Sequence, residues 1–419
     1  MGGVKGHNKN EISFPGSPGL WPGSFTLAIF MNICIITSSF PSHPNDFVQA
    51  PFLLPFIEGL KRRGHQNFVF TQDREEFKKD FLAGVVIKRF PWRGSKRPIV
   101  HLNFLNPGDG LRMVSLFYQG RKSLLPFIKE HKIDACLALW VLPGGYFANY
   151  VYRRTGVPYS VWALGSDIYR YGENPFLYPT LKRIIHEAKG VFADGFDLSR
   201  RVEERFGRKC HFLATTRNLG LMESIKLNGL DKLNEPNRPN KLNEPNQPYR
   251  FLFVGRLEKV KGFDLLLESM TLLTAEKPDV HLDVVGGGTI ENWAENLIER
   301  KGLRRWVALQ GKVDDSTLAS LYATSDCVVI PSRSESIPLV FSEALRFNRD
   351  LIVTDVGDMG ILGRDYGVAA VVPPEDPIAL KEAMKRKVGF QKREQGRREE
   401  LLKLFNIETS VEGFLADYK

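Results

Sequence analysis

From residue 32 the chain alternates between short apolar runs and longer stretches in which apolar residues recur every three or four positions. The runs NICIITSSF (32–40), NFVFT (67–71), GVVIKRF (84–90), ACLALWV (135–141), YSVWAL (159–164) and GVFADG (190–195) read as strands. Between them, residues 47–63, about 112–131, 145–156, about 178–188 and 199–207 read as helices. The helix over 47–63 closes on Lys61-Arg62-Arg63 and Gly64, cations in the last turn and a glycine at the stop. The alternation breaks over 219–249. There KLNEPN occurs twice at a nine-residue step, and Pro236, Pro239, Pro245 and Pro248 forbid a helix. Two copies of a polar unit bury no core, so this stretch reads as a linker. The alternation then restarts, with strands RFLFVG (250–255), HLDVVG (281–286), WVALQG (306–311), CVVIP (327–331), DLIVTDVG (350–357) and AAVVP (369–373). Helices fall over 264–274, about 291–301, 317–325 and about 339–347.

Strands alternating with helices imply βαβ units, hence an α/β fold of two Rossmann-like, doubly wound parallel sheets facing across a cleft. The expected division is a tail over 1–30, a first domain over 31–218, the linker over 219–249 and a second domain over 250–395. A helical segment over 396–419 is amphipathic from Glu399 and expected to pack back on the first domain. The tail holds six glycines and three prolines and has no periodicity. It reads as disordered, or as preceding a true start at Met31. A secretory signal with Leu27–Ile36 as its apolar segment is the alternative, disfavoured because no short basic stretch leads into it.

At 419 residues the chain has room for two or three domains. Its longest apolar run, Leu27–Ile36, is ten residues interrupted by Asn32, about half of what a membrane-spanning helix needs. Four cysteines lie far apart in sequence without C-x-x-C spacing, which gives no support to a structural zinc site or a thiol redox motif. Three sit in strand-like runs, so buried reduced thiols and a cytosolic location are expected. The net charge of +10 is uneven. Residues 1–218 carry 30 Lys and Arg against 17 Asp and Glu, and the remainder 28 against 31. The first half therefore expects an anionic partner. No nucleic-acid-binding motif is present and aromatic residues do not alternate with the basic ones, so nucleic acid is set aside.

Four strand ends carry candidate chemistry. In Gly255-Arg256-Leu257-Glu258-Lys259-Val260-Lys261-Gly262, Gly255 lets the chain turn, and Arg256 and Lys261 offer a fork and a point charge suited to a diphosphate. It lacks Walker A spacing, and a basic solvated loop is the alternative. After the strand CVVIP, Glu335 stands in a loop and Glu343 in a helix whose first turn holds Pro338. The amides near Ile337, Pro338, Leu339 and Val340 mark the helix start as an anion site, and two carboxylates can each accept sugar or ribose hydroxyls. Dipole complementation by Glu335 with an exposed Glu343 is the alternative. The run Gly286-Gly287-Gly288 admits a close backbone approach, or is a plain tight turn. In Leu164-Gly165-Ser166-Asp167, Ser166 and Asp167 face the cleft, or Asp167 caps the next turn.

GRLxxxKG after a strand, the VVGGG turn, PSRSESIPLVFSEAL with its Glu-x7-Glu spacing, VTDVGD and VVPPEDP occur in order over about 250–380. This arrangement resembles the donor-binding half of glycosyltransferase family 4, whose members have the GT-B fold. SSFPS, GLKRRGH, LWVLPGGYFA and LGSDIY extend the resemblance more loosely over 32–218. The resemblance implies a retaining hexosyltransferase that takes a sugar from a nucleotide donor without a metal or other cofactor. It assigns Arg256 and Lys261 to the diphosphate, Glu335 to the sugar hydroxyls, Glu343 to the ribose and the amides after Glu335 to the β-phosphate. Arg256, Lys261 and Glu335 would be the catalytic groups. The chain departs from the family's pattern at three places. Leu164 stands where a histidine is common, the loop 38–47 lacks the Gly-Gly pair, and Ser336 replaces a glycine.

The acceptor expected from this resemblance is a glycan, a lipid-linked sugar or another small molecule, as in polysaccharide or glycolipid biosynthesis. A basic acceptor domain fits peripheral contact with the anionic inner face of a membrane through Lys61-Arg62-Arg63, Arg121-Lys122 and Arg153-Arg154; solvated helix ends are the plain alternative. Two other readings keep the fold: a non-catalytic binding or partner subunit, motivated by Leu164 and the missing Gly-Gly, and a nucleotide-sugar epimerase.

Overall fold

The computed structural model describes residues 30–41, 49–74, 84–94, 99, 102, 106–169, 171–217, 219, 247–389 and 396–418. The tail over 1–29, the linker over 220–246 and residues 42–48 of the first loop lie outside the described residues.

The apolar runs of the first half form β1 (Asn32–Ile36), β2 (Gln66–Gln72), β3 (Val85–Phe90), β4 (Ala135–Leu139), β5 (Tyr159–Ala163), β6 (Gly190–Ala193) and a short β7 (His211–Phe212). They pair in parallel in the order β3-β2-β1-β4-β5-β6-β7. Side chains alternate between faces: Cys34 and Ile36 join one core cluster, Ile33 and Ile35 the other. Cys34 and Cys136 are register partners on neighbouring strands; all four cysteines are free and buried, and burial pushes the Cys34 thiol up.

The helices of this domain are α1 (Leu53–Arg62), α2 (Pro107–Glu130), α3 (Tyr146–Thr155), a single turn α4 (Ser166–Tyr169), α5 (Tyr178–Glu187) and α6 (Phe196–Phe206). Helices α2, α3, α5 and α6 cover one face of the sheet and α1 the other.

The second sheet runs β10-β9-β8-β11-β12-β13, again all parallel. Its strands are β8 (Tyr249–Val254), β9 (Val280–Val285), β10 (Val307–Gly311), β11 (Cys327–Ile330), β12 (Asp350–Thr354) and β13 (Ala370–Val372). Helices α7 (Phe263–Glu276), α8 (Glu291–Arg300), α9 (Asp315–Thr324), α10 (Leu339–Arg346), α11 (Gly357–Asp365) and α12 (Pro377–Gly389) surround it. Strand order reverses between β1 and β4 in one sheet and between β8 and β11 in the other, the switch points where open α/β sheets bind ligands.

The carboxyl ends of the two sheets face each other. Gly195, just past β6, lies against Ser336, past β11, and Asp358, past β12. A side chain at Gly195 would collide with Ser336, so the domains meet here at backbone distance.

The chain crosses between domains again near its end. Helix α13 (Arg398–Leu404) sits in the second domain's core and α14 (Ile407–Ala416) lies on α1 of the first. Phe414 packs beside Phe56 and Phe192, with ring centres 6.0 and 6.4 Å away. Arg62 and Arg63 pair with Glu408, and Arg63 also with Glu412 at 2.8 Å. The two crossings run side by side. Ser410 Oγ donates to the Ala214 carbonyl at 3.0 Å, and Arg346 donates to both Thr216 Oγ1, at 2.7 Å, and the Phe405 carbonyl.

Candidate active site between the two sheets

The loop after β8 and the loop after β11 are built against each other. Gly262 has φ +68°, and a Cβ there would strike the Pro331 carbonyl. Arg333 N donates to the Val260 carbonyl at 2.8 Å. This backbone contact brings Lys261 Nζ onto Glu335 Oε1, which also accepts from Ser332 Oγ at 3.1 Å. Arg256, earlier on the same loop as Lys261, is half exposed, with Nη1 on Glu258 at 2.7 Å. Two residues foreseen as a diphosphate cation and a sugar-hydroxyl acceptor therefore touch directly.

The glycine run after β9 serves the same assembly. Gly286 has φ +133°, and side chains at Gly286 and Gly288 would collide with the carbonyls of Gly255 and Leu257. The close backbone approach foreseen for this run is thus the neighbouring loop, fixed by Leu257 N to the Gly287 carbonyl at 3.1 Å. Gly255 itself has room for a Cβ, its nearest neighbour Phe253 at 3.4 Å, so the need for glycine lies at Gly286 rather than at Gly255.

Helix α10 starts at Leu339, with Pro338 as the extended residue before it rather than in the first turn. Ile337 is buried, Leu339 and Val340 are half buried, and this helix start lies just past Glu335. Glu343 is not an exposed helix carboxylate: it is 2% exposed. Tyr322 Oη donates to its Oε2 at 2.7 Å, and Arg217 Nη1 lies 3.9 Å from Oε1. Oε1 completes no hydrogen bond among the described residues. Burial pushes the Glu343 carboxyl above its ordinary range, and Arg217 and Tyr322 work against that rise. Arg217, which also pairs with Asp315, comes from the segment that leaves β7, so the crossing chain reaches Glu343 of the second domain.

Asp167 does not face the cleft. It is fully buried and accepts from Val141 N at 2.7 Å and Leu164 N at 3.3 Å, amides of the turns that precede it. The carboxylate is consumed in holding the turn after β4 (Trp140–Gly145) against the turn after β5. Burial still pushes its pKa up to about 6. Ser166 opens the single turn α4 beside it.

Two carboxylates to which sequence reading gives no role, Asp358 and Asp194, complete the cleft. Asp358 accepts from Asp197 N at 2.9 and 3.1 Å, so a carboxylate of the second domain caps α6 of the first. Gly195, the residue in the cap position of α6, has no side chain to do this. Asp194 lies beside Ser336, and burial pushes its carboxyl up to about 8; the Ser336 hydroxyl opposes the rise, and Asp167, Glu335 and Asp358 add to it. Neither Asp194 Oδ1 nor Ser336 Oγ completes a well-formed hydrogen bond among the described residues. The only sequence signal of Asp194 is its position directly after β6. Among the described residues no group of three or more His, Cys, Asp or Glu is placed to hold a metal.

Two parallel-sheet domains with their carboxyl ends opposed constitute the GT-B fold, and comparison with solved structures agrees. Sucrose-phosphate synthase from Thermosynechococcus elongatus superposes with a TM-score of 0.70 at 17% identity, over 92% of this chain and 98% of that one. Anabaena HepE, solved in complex with UDP and glucose, gives 0.67 at 14% identity, over 93% and 99%. At such identities the likeness establishes the fold. Residues 234–395 match the family described as glycosyl transferases group 1. Among curated relatives, alpha-D-kanosaminyltransferase of Streptomyces kanamyceticus is 30% identical over 135 residues, 32% of this chain and 35% of that protein. The match thus covers about a third of that relative's own length.

Proposed function

We propose that this protein is a retaining glycosyltransferase that moves a hexosyl residue from a nucleotide-sugar donor to a glycan or lipid-linked acceptor. The observation that carries the proposal is the joining of the loop that bears Arg256 and Lys261 to the loop of Glu335, ahead of the start of α10, at the second domain's switch point, opposite the first domain's strand ends. Relatives matching this half are named as glycosyltransferases, and HepE holds UDP and glucose on the same fold.

In this reading Arg256 and Lys261 take the donor diphosphate, together with the amides at the α10 start. Charge grows on the leaving diphosphate as the glycosidic bond breaks, and these fixed positive groups stabilise it. Glu335 accepts from the sugar hydroxyls, and Glu343 Oε1, the carboxylate oxygen with no hydrogen bond among the described residues, accepts from the ribose. The departing phosphate oxygen takes the acceptor proton on the same face, which gives retention without a general-base side chain. No metal or other cofactor enters the scheme. The protein works in the cytoplasm, against the inner face of the membrane where its acceptor is lipid-linked. No helix among the described residues is long and apolar enough to cross a membrane.

Thermal unfolding against a panel of nucleotides and nucleotide sugars tests the proposal. One nucleotide should raise the melting temperature, since a ligand of the native state alone stabilises it. Arg256→Ala should abolish that rise while changing the free protein by under about 0.5 kcal/mol, as for a surface substitution. Sugar transfer should then follow with an acceptor present. Nucleotide binding without transfer would make the chain a binding subunit, and donor conversion without an acceptor would make it an epimerase.

A further inference from the structure

Of the three basic groups in the first domain, the structure removes one. Arg62 and Arg63 are taken by Glu408 and Glu412 of α14, and Arg153 pairs with Glu187. Arg121, Lys122 and Arg154 have no carboxylate partner in any described ion pair; Arg121 and Arg154 both lie over the Tyr150 ring. These residues adjoin an unusual helix surface. On α2, Leu111 is 59% exposed, Val114 66% and Tyr118 58%. At 100° per residue these three, Arg121 and Lys122 share an arc of about 100°, opposite the face that buries Leu116, Leu124 and Phe127. No Asp or Glu occurs from residue 110 to 129. Three large apolar side chains held out to solvent, followed one turn later by cations with no acid between, form the composition of a surface that lies in a lipid interface.

The position of this face gives it a purpose. Helix α2 ends at Glu130, and four residues later Asp134 N bonds the Asn32 carbonyl at the amino edge of the sheet. Running back from there, a helix of 24 residues extends about 36 Å, while the five residues of β4 span about 17 Å. The first turns of α2 therefore overhang the carboxyl edge, where the cleft opens. Phe176, 90% exposed, stands before α5 at the same edge and on the same side of the sheet.

We propose that the exposed face of α2, Leu111, Val114 and Tyr118 with Arg121 and Lys122 behind them, docks the protein on an anionic lipid bilayer with the mouth of the cleft at the membrane surface. The apolar residues enter the acyl boundary, Tyr118 sits at headgroup level, and the cations meet lipid phosphates. An acceptor whose lipid remains in the bilayer then presents its head group directly to the cleft. The inference deepens the reading of this domain as the acceptor side.

Co-sedimentation of the full chain with vesicles tests it, using phosphatidylcholine alone and phosphatidylcholine mixed with phosphatidylglycerol. Binding should require the anionic lipid. It should fall about tenfold or more in Arg121→Glu/Lys122→Glu, and comparably in Leu111→Asp/Val114→Asp. Leu272→Asp, an exposed apolar position of the second domain, should bind as the unaltered protein does. Unaltered melting temperatures would certify the variants as folded. Absence of binding, binding that survives both α2 variants, or loss in the charge variant alone would overturn the proposal. No sugar nucleotide is present, so such a failure leaves the transfer reading standing, while a failed nucleotide shift would leave this surface untouched.

Discussion

Asp194 is the residue whose chemistry depends most on the meeting of the domains. Its carboxyl stands between Ser336 and the carboxylates of Glu335, Asp358 and Asp167, with a pKa near 8. The unfolded chain releases this proton at about pH 4, whereas the folded protein holds it until about pH 8. Between those values the native state binds more protons than the unfolded state, so the group's contribution to stability falls as pH rises. Asp194→Asn keeps the shape and has no proton to lose. Its melting temperature relative to the unaltered protein should therefore climb from pH 5 to pH 8 and level off beyond; a difference independent of pH would refute the assignment. At this scale the sequence discloses the chemistry within one loop. Arg256, Lys261, Glu335 and Glu343, to which the proposal gives roles, stand out in the sequence by their spacing after strands. Arg217, Asp194 and Asp358 do not, because each acquires its role from a partner on the other domain. Asp167 misleads because an acid after a strand serves a ligand or a backbone turn with the same local pattern.

Among the elements, α6 has the most instructive start. Its cap position is a glycine, and the missing acceptor arrives from Asp358. Asp358→Ala should cost about 1 kcal/mol in chemical denaturation, the ordinary loss for a helix cap. The same substitution should loosen the domain contact, seen as faster amide exchange at Phe196 and Asp197. Most strands and helices are visible in the hydrophobic pattern, since the central strands are covered on both faces and read as continuous apolar runs. Apart from the single turn α4, two helices escape it. In α11, glycines at 357, 360 and 363 weaken the helical pattern. In the folded chain they are contact points, with Gly360 against Asp355 and Gly363 against Ala369 and Val371. Helix α12 had a usable signal in Asp376, whose side chain accepts from Ala379 N at 2.8 Å, ahead of Pro377 at the helix start.

For the whole molecule, the last helix decides how the domains are joined. Phe414 fills the space between α1 and the first sheet. Phe414→Ala should cost about 3–5 kcal/mol, the usual loss for a buried phenylalanine, while Glu412→Ala at the rim should cost under about 1 kcal/mol. Equal losses from the two would mean that α14 is held by charge rather than by packing. Arg346 grips both places where the chain passes between domains, Thr216 on the way out and Phe405 on the way back. Two strands of chain fastened side by side behave as the pin of a door. Rotation about that line is cheap, whereas sliding or twisting would stretch one strand against the other. Any opening of the cleft would turn about that line, so Glu335 and Ser336 would leave Asp194 and return to it in the same alignment.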